Sequence, residues 1–287
     1  MAARGGGGEV DKLLEVGGAA KVSQPPVTRE LKIVSYNMRW RGGEDLRELI
    51  GLLRHDAEIG GASIIGLQEV DRRKKRTDHT NTARVIAEAL GMNYAWAAPP
   101  AQEKEEEETG VAILSPYAIT DVERLVLTHE GPGKRRRAAI GATVQVGATS
   151  VRVYSVHAET RMPLEKKVEH WSAVLEDLKR HPRITRAVVL GDFNTIKGKD
   201  VRAARSLFTE AGFATPFADD RSTWRTFVFK LKLDWLWLRG FEAGEFGIDK
   251  EVELSDHWPL WVKVKLAEQA GQPPRAAAVP LASPRPR

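Results

Sequence analysis

Ala187-Val188-Val189-Leu190-Gly191-Asp192-Phe193-Asn194 is the stretch on which the fold reading turns. Its apolar start predicts a buried strand, and the strand stops at a polar tip. Alternate residues of an extended segment point to the same side, so Asp192 and Asn194 are expected together at that tip. An ionised carboxylate takes a proton from water and a neutral amide holds the water in place. That pairing marks the tip as a candidate hydrolytic site.

Outward from this stretch, short apolar strand-like runs alternate with amphipathic helical patterns. Strands are expected at 31–36, 63–67, 94–97, 110–114, 138–146, 151–157, 187–190, 224–229, 233–238 and 258–264. Helices are expected at 45–53, 80–90, 165–180 and 201–211, the third with Val168, Trp171, Val174, Leu175 and Leu178 inward. This mixed order implies α/β or α+β layers with helices covering sheets.

The 287 residues can bury a large core, and 42% hydrophobic with 29% charged residues is ordinary globular composition. No stretch reaches the ~18 apolar residues of a membrane span, and no signal peptide is evident, so the expected location is cytoplasmic. The absence of cysteine excludes disulfides, thiol catalysis and Cys-ligated metals. The net charge of +5 belongs mostly to the ends: residues 30–268 hold 37 of the 44 basic and 36 of the 39 acidic groups. The basic pI of 9.4 is therefore weak support for polyanion binding. Residues 1–29, with Gly5–Gly8 and Gln24-Pro25-Pro26, read as a flexible leader with a short helical turn around Val10–Val16. Residues 269–287, rich in Pro, Ala and Arg, read as a disordered tail, which leaves 30–268 as the catalytic domain.

Polar residues recur where strands end. Asn37 follows Ile33-Val34-Ser35-Tyr36, Glu69 follows Ile64-Ile65-Gly66-Leu67-Gln68, and His157 follows Val153-Tyr154-Ser155-Val156. Asp234 lies in Leu233-Asp234-Trp235, and Ser255-Asp256-His257 precedes Trp258-Pro259-Leu260. Layered α/β folds gather functional groups at such ends. The ordered series Tyr36-Asn37, Gln68-Glu69-Val70, His157, Gly191-Asp192-Phe193-Asn194, Leu233-Asp234 and Ser255-Asp256-His257 resembles the endonuclease/exonuclease/phosphatase superfamily over about residues 31–265. The resemblance implies a four-layer α/β sandwich, with two mixed β-sheets face to face and helices outside. It also implies metal-dependent hydrolysis of a phosphate ester, by a phosphodiesterase or nuclease, or by a lipid or small-molecule phosphoesterase.

On that resemblance Glu69 is the metal-ligand candidate, because Mg²⁺ or Mn²⁺ favours carboxylate oxygen. Asn37 lies beside the metal as ligand or phosphate-positioning amide, and Asp256 completes the site. Asp192 acts as general base or holds the attacking water, and Asn194 orients water or phosphate. His157 and His257 donate hydrogen bonds to phosphate oxygens. Asp234 orients one of them and Asp256 or Glu69 the other, with the pairing left open. Arg39 stands where some members carry a carboxylate and is read as a phosphate contact. Trp224 is read as a stacking or headgroup-covering side chain, and Trp40 as lining the same rim. The basic runs Arg72–Arg76 and Lys134–Arg137 and the acidic run Glu103–Glu108 oppose each other in sign. They fit a small phosphodiester or short single strand better than a duplex. The expected partners are a phosphate-ester substrate, nucleic acid included, with the chain a monomer.

Overall fold

The computed structural model describes residues 12–19, 29–100 and 108–266. Gly5–Gly8, Gln24-Pro25-Pro26, the run 103–107 and the tail 269–287 lie outside the described residues. In chain order the elements are β1 (Leu14–Gly18), β2 (Glu30–Asn37), α1 (Gly43–His55), β3 (Ile64–Arg72), α2 (Thr82–Leu90), β4 (Asn93–Ala97), β5 (Glu108–Ser115), β6 (Ala118–Val126) and β7 (Ala138–Val146). They continue as β8 (Thr149–His157), α3 (Leu164–Lys179), β9 (Arg186–Asp192), α4 (Gly198–Glu210), β10 (Trp224–Arg225), β11 (Lys230–Leu231), β12 (Asp234–Arg239), β13 (Glu242–Ile248) and β14 (Leu260–Lys265).

One sheet runs β1-β4-β5-β3-β2-β14-β13 and the other β12-β9-β8-β7-β6, while β10 and β11 form a separate hairpin. Both large sheets are mixed. The β2–β3 and β8–β9 pairs are parallel and each is joined through a helix, and the other neighbours are antiparallel. Side chains alternate across each strand, so each sheet has two buried faces. Ile33, Ile113, Val153, Val188 and Leu236 fill the space between the sheets. Leu46, Leu49 and Leu53 of α1 and Ile86 of α2 cover the outer face of the first sheet. Trp171 and Val174 of α3 and Phe208 of α4 cover the outer face of the second. This is the four-layer sandwich expected from the sequence. Between the sheets Gly66 leaves no room for a side chain, since a Cβ there would fall 1.9 Å from Leu190 Cδ1.

The structure corrects three local expectations. Leu14–Gly18, assigned to a flexible leader with a helical turn, pairs antiparallel with β4 as an edge strand. Edge positions leave one side of the strand without a neighbour, so its sequence carries little apolar signal. Two more edge strands, β6 and β13, were not expected at all. The strand expected at 224–229 stops at Arg225. Thr226 N donates to Phe229 O at 2.8 Å and closes a tight turn instead.

The parallel pairs place the ends of β2, β3, β8 and β9 on one rim. In the register His157 stands beside Asp192, and Asp234 stands on the other side of Asp192. In the facing sheet Asn37 stands beside Gln68.

Candidate active site

Three backbone devices set the site. Gly191 has φ +130, and a Cβ there would lie 2.1 Å from Val156 O, so glycine alone lets β9 turn beside β8. Phe193 is buried against Trp171 and Phe208, with ring centroids 6.1 and 5.4 Å away, which anchors the turn. Glu69 is the extra residue of a β-bulge between Gln68 and Val70, with φ +56. The bulge aims its carboxylate off the sheet and towards the rim.

Asp192 and Asn194 do not share the face of an extended strand. Asn194 has φ +52, and its N–H donates to Asp192 Oδ1 at 2.9 Å. Its side-chain amide donates to Ala158 O at 2.9 Å. The turn is held from below by the buried Lys167, whose Nζ donates to Asn194 O at 2.7 Å and Asp200 Oδ2 at 2.9 Å. Asp192 Oδ2 then faces Asn37 Nδ2 at 3.2 Å, His157 Nε2 at 3.6 Å and His257 Nε2 at 3.9 Å.

The histidine pairing left open by the sequence is resolved on one side. His257 Nδ1 meets Asp234 Oδ2 at 2.8 Å, and Thr223 Oγ1 donates to the same oxygen at 2.6 Å. Burial disfavours charge on His257, but Asp234, its hydrogen bond and Asp192 together raise its pKa to about 9. His157 faces Asp192 and, at 4.0 Å, Glu69 Oε1. Burial, Arg137 and His257 hold its pKa well below the usual histidine value, so one histidine is charged and the other neutral. Burial also raises Asp192 to about 7, with Asp234 and Glu69 adding to the rise and His257 opposing it.

A family model described as the Endonuclease/Exonuclease/phosphatase family matches residues 34–257, from the strand that carries Asn37 to His257 itself. The chain belongs to the endonuclease/exonuclease/phosphatase family. All three activities in the family's name hydrolyse phosphate esters. No curated protein sequence matches the chain. An endonuclease/exonuclease/phosphatase family protein from Leptotrichia buccalis superposes with TM-score 0.63 at 20% identity, over 82% of this chain and 99% of that one. The human Nocturnin catalytic domain with bound sulfate anion gives 0.64 at 16% identity, over 83% and 93%. The mannosyl-6-phosphatase Bt3783 of Bacteroides thetaiotaomicron gives 0.62 at 15% identity, over 82% and 99%. At these identities the likeness shows the fold.

Within this family site, Glu69 fits a hard cation. Its Oε2 is buried without a partner, its Oε1 accepts from Asn37 Nδ2 at 3.3 Å, and burial raises its pKa. A divalent ion would satisfy that oxygen and offset the clustered carboxylates. Asp192, Asp234 and His257 also bring ligand atoms within 4.8 Å of one another, but the close Asp234–His257 pair already occupies two of those groups. Arg39 N donates to Asn37 Oδ1 at 3.2 Å, which turns the Asn37 amide nitrogen towards the two carboxylates. Asp256 accepts from Trp224 Nε1 at 3.1 Å and pairs with Arg39 at 3.5 Å. Trp224 therefore backs the site, its ring edge-on to His257 at 6.5 Å.

Sequence reasoning missed Thr223 and Arg137. Thr223 is fully buried, and its signal lay in its place next to Trp224. Arg137 shares a small cavity with His157 and Thr109 and pairs with Glu159 at 3.1 Å. Both ends of the Arg72–Arg76 run are neutralised: Arg72 is buried against Glu108 at 2.6 Å and Glu15 at 3.2 Å, and Arg76 pairs with Asp71 at 2.6 Å.

Proposed function

We propose that the chain is a divalent-metal-dependent phosphodiesterase that uses a water held by Asp192 and Asn194. The carrying observation is that Asp192 Oδ2 lies within 3.9 Å of Asn37 and both histidines, one of them locked by Asp234. Asp192 takes a proton from water as the water oxygen attacks phosphorus in line with the leaving oxygen. The new P–O bond forms as the bond to the leaving group breaks. A base with pKa near 7 suits this role at neutral pH. His257, held as imidazolium by Asp234, donates from Nε2 to a phosphate oxygen as charge develops. His157 is neutral and, with its proton on Nε2, adds a hydrogen bond without adding charge. Asn37 positions the phosphate or, with its amide rotated, joins Glu69 and Asp256 in holding Mg²⁺ or Mn²⁺. Bound there, the ion supplies Lewis-acid polarisation of the phosphate. Arg39 completes the substrate side, with Trp224 behind the site.

The neutralised Arg72 and Arg76, together with Arg136 paired to Glu130 at 3.4 Å, favour a substrate with few flanking phosphates over a duplex. The sulfate on the Nocturnin domain and the activity named for the Bacteroides protein support an oxyanion substrate. The test is turnover of bis-p-nitrophenyl phosphate, p-nitrophenyl phosphate, phospholipids and oligonucleotides by the full chain with Mg²⁺ or Mn²⁺. Full activity in excess chelator would sink the metal reading, and turnover of monoesters alone would sink the diester reading.

A further inference from the structure

The hairpin of β10 and β11 turns through Phe227 and Val228, the two residues between the hydrogen-bonded pair Thr226 and Phe229. Two-residue turns ordinarily carry Asn, Asp or Gly. Here Phe227 is 109% exposed, Val228 78% and Phe229 64%, so packing within the chain gives none of them a reason to be apolar. The turn is nevertheless well defined. Thr226 Oγ1 accepts from Phe229 N at 3.1 Å and Val228 N at 3.4 Å. A hydrogen-bonded turn that holds an apolar tip in water is a surface made to be covered.

The root of the hairpin joins the site. Arg225 N donates to Asp256 O at 2.9 Å, Trp258 N donates to Thr223 O at 2.8 Å, and Trp224 bridges to His257. A cleft of about 590 Å³, lined in part by Phe227, Arg225, Arg39 and Asp256, connects the two ends. Three residue steps of extended chain lead from Trp224 to Phe227, so the tip stands roughly 10 Å beyond Trp224.

We propose that this tip inserts into the interfacial layer of a membrane and that the site acts on the phosphodiester of a lipid headgroup. The second half rests on the phosphodiesterase reading; the first does not. The roughly 10 Å reach matches the depth at which amphipathic elements seat in that layer. Lys230, opposite Arg225 in the hairpin register, lies behind the apolar tip, where lipid phosphates would stand, while Arg225 and Arg39 are held there by Glu253 at 2.8 Å and Asp256 at 3.5 Å. A nucleobase would stack on one aromatic face and gain nothing from Val228, whereas a bilayer accepts all three side chains. No helix among the described residues is long and apolar enough to cross a membrane, so attachment would be peripheral.

The test is co-sedimentation of the full chain with vesicles of phosphatidylcholine, alone and mixed with phosphatidylserine, in the Asp192→Asn background so that turnover does not interfere. Replacing Phe227→Ser and Phe229→Ser together should weaken vesicle binding at least about tenfold. Phe227→Leu with Phe229→Leu should keep it. With Asp192 restored, the Ser pair should keep its rate on bis-p-nitrophenyl phosphate and lose lipid hydrolysis. Equal vesicle binding by the Ser pair and its parent overturns the inference. So does loss of affinity for a single-stranded oligonucleotide with vesicle binding unchanged. Failure of the phosphodiesterase reading is separate: it leaves vesicle binding intact with no turnover of the soluble diester.

Discussion

Replacing Asp234→Asn keeps the shape of the group on His257 Nδ1 and removes its charge. In the native chain His257 titrates at about 9, because Asp234 at 2.8 Å outweighs the burial that opposes its protonation. At pH 8 roughly nine-tenths of the molecules carry the imidazolium. Without the aspartate, burial leaves His257 at or below its ordinary value of about 6.5, and at most about 3% is charged at pH 8. If the imidazolium is the donor, kcat/KM for bis-p-nitrophenyl phosphate at pH 8 should fall about 30-fold or more. The variant-to-native ratio should rise as pH falls below about 6.5. Asp192 shifts as well, because Asp234 raises its pKa and charged His257 lowers it, so the pH profile of each protein is fitted separately. The same pair gives a stability signature. A raised histidine pKa contributes stability that is fully present below about 6.5 and lost as pH rises through about 9, some 3 kcal/mol in all. Denaturant unfolding with chelator present should show that decline in the native chain and not in the variant. A rate ratio independent of pH, or near unity at pH 8, would refute the assignment of His257 as the charged donor.

Further expectations follow from the same geometry. Asp192→Asn should lower turnover at least ~10²-fold with an unchanged melting temperature, and full activity in the folded variant would remove Asp192 as base. Glu69→Gln should weaken Mn²⁺ binding at least ~10-fold by titration calorimetry, since Glu69 Oε2 is a buried oxygen at the site without a partner among the described residues. Gly191→Ala should cost about 2–4 kcal/mol in denaturant unfolding, from its φ of +130 and the 2.1 Å approach to Val156 O. His170 is held neutral by burial, with pKa lowered to about 4, and its Nε2 accepts from His129 N at 3.3 Å. Stability should therefore fall by up to about 3 kcal/mol as pH drops from 6.5 to 4, and His170→Gln should flatten that slope.

How far the sequence could be read depended on burial. Val188-Val189-Leu190, Ile64-Ile65 and Val153-Tyr154 lie inside their sheets, where both faces demand apolar side chains, and all were legible as strands. Leu14–Gly18, Ala118–Val126 and Glu242–Ile248 are edge strands, and all three were missed. The Asp121, Glu123 and Arg124 of β6 suit an edge that must not pair further, and they also erase the period-2 signal. The opposite error came at Trp224–Phe229. An apolar run was taken for a strand because nothing in the local pattern tells side chains that pack inward from side chains that stand in water.

At the site, residue types were legible and pairings were not. Asp192, His157, His257, Asn37 and Glu69 could be picked out because each flanks an apolar strand-like run in the sequence. The partner of His257 is 23 residues away on β12, and only the sheet order brings Asp234 beside Asp192. The division of charge depends on that pairing. Two histidines in equivalent strand-end contexts differ in protonation because one meets a carboxylate at 2.8 Å and the other meets none closer than 3.6 Å. The basic runs show the same principle in reverse. Arg72 reads as an anion-steering group from its neighbours in sequence, yet Glu108 and Glu15 neutralise it from 36 and 57 residues away. Charge along a chain becomes function only after the fold has matched it: behind the Phe227–Val228 tip, Glu253 already holds Arg225 at 2.8 Å and Asp256 holds Arg39 at 3.5 Å.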